Sequence, residues 1–319
     1  MKIIITARNF SAYDSAALQL LRDAGHDVID LSAKGFGVSS SESDMIAALS
    51  DADIAISGLE PLSANVIAHC PRLKHIALRS IGYDGVDLDA CRAHGISVTR
   101  LTGMVEGAVA EHVMAYILCF ARHVEVQNAA MQQGIWNRIL MPGAKGRTLG
   151  LIGFGGIGKE IARRAVPFGM NILYTCRHPK PEWEAEYGVS YRSLDALLAE
   201  SDYISVNVPL CDETRGMFGD AQFAQMKKNC VFINIARGPI VDLHALRRAL
   251  DHGVIAGAGI DVYDSEPCTD SPLVGCKNAV LTPHVASFTS ENFIAMNNRA
   301  AQNVLDILSG TLDGKYRLA

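Results

Sequence analysis

Residues 150–158, with the sequence Gly-Leu-Ile-Gly-Phe-Gly-Gly-Ile-Gly, constrain the fold of this chain more than any other segment. A short apolar run enters the spacing Gly153-x-Gly155-x-x-Gly158, and a helix-like stretch over 159–166 leaves it. A strand, a glycine turn and a helix in this order are typical of a dinucleotide-binding unit. The first glycine permits the tight turn, the second lets backbone N–H groups approach a pyrophosphate, and the third lets helix and strand pack closely.

Strand-like and helix-like segments alternate on both sides of this turn, which predicts parallel sheets covered by helices. The predicted strands lie at 2–7, 27–31, 53–57, 73–78, 96–99, 170–174, 203–208, 230–234, 257–261 and 278–282. The predicted helices lie at 15–24, 42–50, 87–94, 108–130, 194–200, 221–226, 243–253 and 291–308.

A chain of 319 residues is too long for one ordinary core, so two domains are expected. We predict an α/β fold with two doubly wound parallel sheets. A Rossmann-type dinucleotide-binding domain over 102–287 is inserted into a flavodoxin-like substrate domain, formed by 1–101 and 288–319. The helix predicted at 291–308 falls outside the second series of strands, so we expect it to pack on the first domain.

Charge and cysteine usage exclude several function classes. The net charge is −5 with scattered Lys and Arg, which predicts no nucleic-acid partner. No apolar run approaches the roughly 20 residues of a membrane span, and the short apolar N-terminus does not resemble a signal peptide. The eight cysteines form no C-x-x-C pair and no metal-ligand spacing is present, which predicts reduced thiols, no metal and a cytoplasmic protein.

The residues after the strand predicted at 170–174 bear on the cofactor. In a dinucleotide fold an acidic residue here binds the ribose 2′-hydroxyl of NAD, whereas a basic residue accommodates the 2′-phosphate of NADP. The sequence has no carboxylate at this point and instead reads Cys176-Arg177-His178-Pro179-Lys180. A guanidinium suits a phosphate, so we predict that NADP(H) is preferred and NAD(H) possible. The alternative is an ordinary solvated Arg177 with weak discrimination.

Three further segments place polar residues at strand ends, where open α/β sheets bind their ligands. They offer a fixed cation, carboxylates and one imidazole. They cover residues 234–239 (Asn-Ile-Ala-Arg-Gly-Pro), 259–267 (Gly-Ile-Asp-Val-Tyr-Asp-Ser-Glu-Pro) and 281–287 (Leu-Thr-Pro-His-Val-Ala-Ser).

With these segments the chain resembles the D-2-hydroxyacid dehydrogenase family over essentially its whole length. The glycine turn and the three segments come in the family's order. Further matching stretches are Gly82-Tyr83-Asp84-Gly85-Val86-Asp87, Val109-Ala110-Glu111-His112, Gly134-Ile135-Trp136 and the run from Val208-Pro209-Leu210 to Thr214. The basic run at 177–179 resembles that of glyoxylate/hydroxypyruvate reductases. The resemblance implies transfer of a hydride from NAD(P)H to a small 2-oxo acid, giving the D-2-hydroxy acid.

The resemblance also implies roles for three residues. Arg237 pairs with the substrate carboxylate and polarises its 2-oxo group, because its charge is permanent and its geometry bidentate. His284 gives a proton to the carbonyl oxygen as hydride arrives, a role that suits a group titrating near neutral pH. Glu266 hydrogen-bonds His284 and fixes its orientation.

Other positions follow from the resemblance as binding residues. Backbone N–H groups around Ser80, Ile81 and Gly82 hold the substrate carboxylate, together with Arg237 and His284. For Arg79, next to this loop, three roles stay open: binding a second anionic group of the substrate, capping a helix or pairing with Asp84. The cofactor residues are Gly153, Gly155, Gly156, Ile157, Gly158, Cys176, Arg177, His178, Val208, Pro209, Thr214, Ile235, Ala236, Asp261 and Ser287.

Four positions depart from the family pattern without removing a catalytic group. Gly156 stands where an arginine is common, so one side-chain contact to the pyrophosphate is missing, and Phe288 could narrow the substrate pocket. Asn207 replaces a common histidine and Val105 a small polar residue.

Several alternatives stay open at this point. The substrate could be 3-phosphoglycerate, without a regulatory domain, or the chain could be a dinucleotide-sensing protein like the corepressors that share this fold. Formate dehydrogenases also share it, but Glu266 argues against that activity. The resemblance also implies a homodimer, formed through the helix predicted at 108–130 and the loop 136–145, against the alternative of a monomer. Trp136 is expected to pack in the core or at the subunit interface.

Overall fold

The computed structural model describes residues 1–319 and divides into two compact units. One unit consists of residues Met1–Val105 and Phe288–Ala319, and the other of Glu106–Ser287. Each unit is built on a single parallel sheet. The predicted fold class, two parallel-sheet α/β domains, is confirmed.

Twelve strands and twelve α-helices follow one another along the chain. The strands are β1 (Lys2–Ile5), β2 (Asp27–Asp30), β3 (Ile54–Ser57), β4 (His75–Leu78), β5 (Ser97–Thr99), β6 (Thr148–Ile152), β7 (Asn171–Thr175), β8 (Val189–Tyr191), β9 (Tyr203–Val206), β10 (Val231–Asn234), β11 (Gly257–Ile260) and β12 (Ala279–Leu281). The helices are α1 (Ala16–Asp23), α2 (Glu42–Leu49), α3 (Ala64–Ala68), α4 (Leu88–Ala93), α5 (Glu106–Arg122), α6 (Val124–Gln132), α7 (Gly156–Ala165), α8 (Pro181–Tyr187), α9 (Leu194–Glu200), α10 (Asp220–Gln225), α11 (Leu243–Asp251) and α12 (Ser290–Ser309).

The first unit contains a five-stranded sheet in the order β2-β1-β3-β4-β5, which is the flavodoxin-like order. Its inner strands are continuous apolar runs, such as Ile3–Ile5 and Ile54–Ile56, because helices cover both faces of the sheet. Ser41, Ser63 and Asp87 begin the helices between these strands by accepting a backbone N–H of the first turn. The helix α12 packs against α1 and β4 of this unit, where Asn297 Nδ2 donates to the Phe10 carbonyl at 2.7 Å.

The second unit contains a seven-stranded parallel sheet in the order β12-β11-β10-β9-β6-β7-β8. The chain runs outward from β6 through β7 to β8, then returns to β9 on the other side of β6. The strand order therefore reverses between β6 and β9, and ligands of such sheets bind at the carboxyl ends of the strands beside this point. All seven strands are parallel, so residues following β6, β7, β9, β10, β11 and β12 share one edge.

One prediction about the segment before β6 is wrong. The single helix predicted at 108–130 is broken into α5 and α6 by His123, whose backbone is left-handed with φ of +46°. Of the two places predicted for Trp136, the core is excluded because 79% of its surface is exposed, and the subunit interface stays a prediction. Three elements of the structure, α3, α8 and β8, are absent from the predicted set because they are too short to show a clear periodicity.

Candidate active site

The glycine turn joins β6 to α7 through positions where only glycine fits. Gly153 has φ of +94°, and a Cβ there would lie 2.8 Å from the carbonyl oxygen of Asn207. A Cβ on Gly158 would lie 2.5 Å from the carbonyl oxygen of Gly153, so the helix could not pack against the turn with any larger residue. Gly155, in contrast, has open space around its missing side chain. At the N-terminus of α7, Gly156 is exposed and Ile157 half-buried, while Gly158 is buried against the turn.

The space beside Gly156 is filled by another residue of the same unit. A Cβ at this position would lie 2.9 Å from Cγ of Glu106 and 3.1 Å from its Oε1. An arginine here would therefore need Glu106 to move. Where family members commonly have an arginine that contacts the pyrophosphate, this chain has no side chain, and the carboxylate of Glu106 lies there instead.

The basic residues after β7 are open to solvent. Arg177, His178 and Lys180 are exposed, while Cys176 is half-buried. The pKa of Glu213 is lowered, first by a hydrogen bond from Cys211, then by its own backbone and in smaller part by the charge of Arg177. An acidic side chain therefore lies within electrostatic range of the residue predicted to meet the 2′-phosphate.

The residues after β9 are ordered by the hydroxyl of Thr214. This hydroxyl donates to the Pro209 carbonyl at 2.7 Å and accepts the Cys211 N–H at 2.9 Å. Its only proton is thus used within the turn. Val208 lies against Gly153, so the turn that it starts borders the glycine turn.

The residues after β10 are held by Asn234, which sequence reasoning did not single out. Its side-chain oxygen accepts the Ala236 N–H and its amide donates to the Arg237 carbonyl, both at 3.0 Å. Ile235 and Ala236 are buried, and Arg237 Nη1 donates to the Ala236 carbonyl at 2.7 Å. The Asn234 side chain therefore fixes the loop that presents the Arg237 guanidinium at the sheet edge.

His284 and Glu266 form a hydrogen-bonded pair. His284 Nδ1 lies 2.6 Å from Glu266 Oε2, and the other carboxylate oxygen accepts the Tyr263 N–H at 3.1 Å. Burial would raise the pKa of Glu266, but the hydrogen bond and charge of His284, the Tyr263 N–H and the charge of Arg237 outweigh it and lower that pKa. The carboxylate is thus held ionised at Nδ1, and Nε2 of the imidazole is the atom left to face a ligand.

The segment 282–287 follows β12 and is tied to Asp261, which follows β11. Asp261 is buried, and its carboxylate accepts the Val285 N–H at 2.8 Å and the Ala286 N–H at 2.9 Å. The half-buried Ser287 ends this segment. Asp261 is predicted as a cofactor residue; in the structure, its carboxylate holds the segment that contains His284.

The predicted carboxylate loop lies in the other unit and is described here by itself. The Ser80 hydroxyl donates to the Gly82 carbonyl at 2.6 Å, which closes the Ser80-Ile81-Gly82 turn. Behind it, Arg79 donates to the Arg8 carbonyl at 3.0 Å and stacks 4.4 Å over the Phe293 ring. The guanidinium of Arg79 therefore ties the strand β4 to α12.

No group of histidines, cysteines and acidic residues is arranged to hold a metal ion. No helix combines the length and apolar character that crossing a bilayer demands.

A dinucleotide turn and an imidazole–carboxylate pair on one parallel sheet, with a guanidinium near the carboxylate, are typical of a nicotinamide-dependent oxidoreductase. Comparison with known proteins gives the family. The model of the "D-isomer specific 2-hydroxyacid dehydrogenase, NAD binding domain" matches residues 114–286. The chain therefore belongs to the D-isomer-specific 2-hydroxyacid dehydrogenases, as the sequence motifs had implied.

Individual relatives cover most of the chain. A glyoxylate reductase from Thermococcus litoralis is 39% identical over 262 residues, 79% of each chain. Glyoxylate/hydroxypyruvate reductase B from Klebsiella pneumoniae is 37% identical over 273 residues, 83% of this chain and 84% of the relative. The crystal structure of D-lactate dehydrogenase from Aquifex aeolicus, complexed with NAD and lactic acid, superposes with a TM-score of 0.87 at 28% identity, over 100% of this chain and 99% of that chain.

Proposed function

We propose that this protein reduces glyoxylate or hydroxypyruvate to the corresponding 2-hydroxy acid, with D stereochemistry where the product is chiral, and that it prefers NADPH. The observation that supports this most strongly is the His284–Glu266 pair at 2.6 Å on a dinucleotide-binding sheet, with Arg237 close enough to lower the Glu266 pKa. The substrate assignment is supported by the two relatives named glyoxylate reductase and glyoxylate/hydroxypyruvate reductase.

In the proposed reaction Arg237 binds the substrate carboxylate and polarises the 2-oxo group through its planar fork of N–H donors. His284 donates the proton on Nε2 to the carbonyl oxygen, while Glu266 holds Nδ1 and stabilises the ring orientation. When bound, the reduced nicotinamide supplies the hydride. In the reverse direction His284 takes the proton back.

We propose that residues 102–287 bind the cofactor and that residues 1–101 with 288–319 contribute the substrate loop Ser80-Ile81-Gly82. The pyrophosphate lies at the N-terminus of α7, where the backbone N–H groups and helix dipole favour an anion. Around it, the cofactor cleft is lined by Val208, Pro209, Ile235 and Ala236, with Thr214 close by. Asp261 and Ser287 lie near the nicotinamide amide.

We propose a non-phosphorylated substrate over 3-phosphoglycerate. The phosphorylated alternative depends on a second cation, for which Arg79 was the candidate. Arg79 donates to the Arg8 carbonyl and, at 3.4 Å, to Asn297 Oδ1, and it stacks on Phe293. These contacts engage both terminal nitrogens of the guanidinium within its own unit.

The preference for NADPH is proposed from Arg177 and His178, which are exposed after β7 with no carboxylate among residues 176–180. Arg177→Asp is expected to lower the NADPH/NADH ratio of kcat/KM about tenfold or more, the effect of losing a hydrogen bond between charged groups. The matched control is Glu213→Gln, which removes the opposing charge and is expected to raise or keep the ratio. An unchanged ratio in Arg177→Asp would contradict this assignment.

The activity itself is tested by following reduced-nicotinamide absorbance with glyoxylate and with hydroxypyruvate, comparing NADPH and NADH at subsaturating concentration. The proposal expects turnover of at least one of the two acids and faster loss of NADPH. Turnover of neither, together with tight cofactor binding, would favour the dinucleotide-sensing alternative.

We also propose that the protein is a cytoplasmic homodimer. Large exposed apolar side chains concentrate between residues 124 and 140, and they include Trp136 and Leu140, which is 99% exposed. Such a patch is uncommon on a monomer. Light scattering is expected to give about twice the 34.3 kDa of one chain, and Leu140→Asp is expected to shift the equilibrium toward monomer. A mass of one chain for the unmodified protein would contradict the dimer.

A further inference from the structure

The hydroxyl of Thr282 connects the helix α5 to the strand ends that hold His284. Two side chains of α5, one turn apart, reach it: Tyr116 Oη lies 2.5 Å and His112 Nε2 3.2 Å from Thr282 Oγ1. On its other side the hydroxyl lies 2.5 Å from Oδ1 of the buried Asp261. Three side chains, two from α5 and one from the residue that follows β11, thus meet at the hydroxyl oxygen of Thr282, which follows β12.

The direction of these hydrogen bonds is fixed by the protons available. Thr282 has one hydroxyl proton and two lone pairs. The proton goes to the Asp261 carboxylate, which already accepts two backbone N–H groups. Tyr116 and His112 must therefore both donate to Thr282, the latter through an Nε2–H. Burial raises the pKa of Tyr116, which keeps its phenol a proton donor.

The position of Tyr116 is itself fixed by packing. Its ring fills the space beside Gly259 in β11, where a Cβ would lie 2.7 Å from the ring. The His112 ring meets it edge to face at 4.7 Å between centroids. The backbone of Thr282 is held as well, because Tyr263 Oη donates to its carbonyl at 3.1 Å. The Thr282 hydroxyl consequently has little freedom to turn away from Asp261.

Asp261 transmits this restraint to His284. Its carboxylate accepts the N–H groups of Val285 and Ala286, and its backbone carbonyl accepts the N–H of His284 at 2.8 Å. His284 has φ of +53°, a left-handed conformation that a residue with a side chain adopts only when its surroundings hold it there. The direction of the imidazole thus depends on the Asp261 carboxylate keeping its place.

We propose that Thr282 is a positioning residue for the reaction: its hydroxyl locks Asp261 to α5 and thereby keeps the imidazole of His284 aimed at the substrate carbonyl. This inference rests on the proposed function, because it assigns His284 as the proton donor. It predicts that Thr282 affects turnover more than cofactor affinity.

The test compares Thr282→Val, which keeps the shape and removes the hydroxyl, with Thr282→Ser, which keeps the hydroxyl. Thr282→Val is expected to lose at least about tenfold in kcat for glyoxylate or hydroxypyruvate, and Thr282→Ser to stay within about threefold of the parent. The Kd of NADPH, from the fluorescence of the bound reduced cofactor, is expected to stay within about twofold in Thr282→Ser and to change by a smaller factor than kcat in Thr282→Val, because Asp261 is also assigned to the cofactor. Tyr116→Phe, which removes one of the two donors, is expected to show a smaller loss of kcat than Thr282→Val.

A second readout does not depend on activity. Amide hydrogen exchange at residues 284–286, measured by mass spectrometry, is expected to be at least about tenfold faster in Thr282→Val than in the parent or in Thr282→Ser. Full kcat in Thr282→Val, an equal loss in the Val and Ser variants, or unchanged exchange would overturn the inference.

The exchange readout also separates the two proposals. If the parent protein reduces no 2-oxo acid, but amide exchange at residues 284–286 is faster in Thr282→Val, the proposed function is wrong. The structural role of the Thr282 hydroxyl is then still supported. If the parent protein is active, but amide exchange is the same in Thr282→Val, the proposed function is supported and the role of Thr282 is wrong.

Discussion

His75 lies in a strand of the first unit and His284 follows a strand of the second, and the surroundings of the two imidazoles are opposite. His75, in β4 of the first unit, is 2% exposed, and its ring nitrogens pair with Ser97 Oγ at 2.9 Å and Thr99 Oγ1 at 3.3 Å. Burial lowers the pKa of His75 to about 4. His284, beyond β12 of the second unit, keeps 29% of its side chain exposed and pairs with a carboxylate.

This contrast separates a structural histidine from a reactive one. Burial, assisted by the charge of Arg317, keeps the His75 ring neutral, and no ligand can reach a side chain this buried. His284 has a charged partner on one nitrogen and solvent access for the other, which is what proton transfer to a substrate requires. The candidate catalytic histidine is therefore identified by the solvent exposure of its imidazole and by its charged hydrogen-bond partner, and not by the size of a pKa shift.

The largest effect is expected from removing the reactive imidazole. His284→Ala should lower kcat for the 2-oxo acid by about 10³-fold, within the range that general acid–base groups contribute. The rate is measured by the loss of reduced nicotinamide, with circular dichroism to confirm folding. The control is His69→Ala, which should leave the rate unchanged. His69 is exposed and follows the last residue of α3 in the first unit. Near-parental turnover in His284→Ala would show that His284 is not the proton donor and would contradict the distinction between the two histidines.

Loss of the charged partner should come next. Glu266→Gln keeps a hydrogen-bonding oxygen beside Nδ1 but removes the charge, and we expect kcat to fall about 10²-fold, at the lower end of acid–base contributions. A double variant with His284→Ala should lose little more than His284→Ala alone, because Glu266 acts through the imidazole. Additive losses would show that Glu266 acts on the substrate independently.

A smaller loss is expected from Arg237→Lys, which preserves the charge and removes the planar fork. The substrate carboxylate then loses one of two parallel hydrogen bonds, so kcat/KM should fall about 30-fold, equivalent to about 2 kcal/mol. The Kd of NADPH provides the control, because the guanidinium is assigned to the substrate. An equal loss of cofactor affinity would contradict that assignment.

The smallest effect on turnover is expected at His75, where stability should change instead. Its folded-state pKa is depressed, so the unfolded chain binds a proton that the folded chain does not, and stability is lost as the pH falls from about 6.5 toward 4. Between pH 7 and pH 5 this accounts for about 2 kcal/mol of unfolding free energy.

Urea unfolding of His75→Gln at pH 7 and pH 5 should therefore show about 2 kcal/mol less change between the two pH values than the parent does. The exposed His69→Gln should keep the parental difference. An undiminished pH dependence in His75→Gln would mean that the buried imidazole is not the titrating group.

Much of the fold could be predicted because its signals are local. The apolar runs Ile3–Ile5 and Ile54–Ile56 and the spacing of Gly153, Gly155 and Gly158 specify strands and a turn from neighbouring residues alone. The break at His123 could not be predicted, because its left-handed backbone is not marked by glycine or proline. Short elements such as β8 lack a detectable period.

The candidate site likewise contains residues that could be predicted from local motifs and contacts that could not. Arg237, Glu266 and His284 were identified from motifs, and the structure brings the imidazole and the carboxylate into hydrogen-bond contact. The contacts of Thr282 with His112 and Tyr116 join residues 170 and 166 positions apart. No local pattern encodes such a contact, although the i, i+4 spacing of the two polar residues on one face of α5 is a signal that could have been followed.

The most direct test of the central claim is a crystal structure of the ternary complex with reduced cofactor and oxamate, an unreactive analogue of a 2-oxo acid. The account predicts the oxamate carboxylate on the Arg237 guanidinium and its amide carbonyl oxygen within hydrogen-bond distance of His284 Nε2, with Glu266 still bonded to Nδ1. Oxamate bound with its carbonyl oxygen turned away from His284, or a broken His284–Glu266 pair, would contradict it.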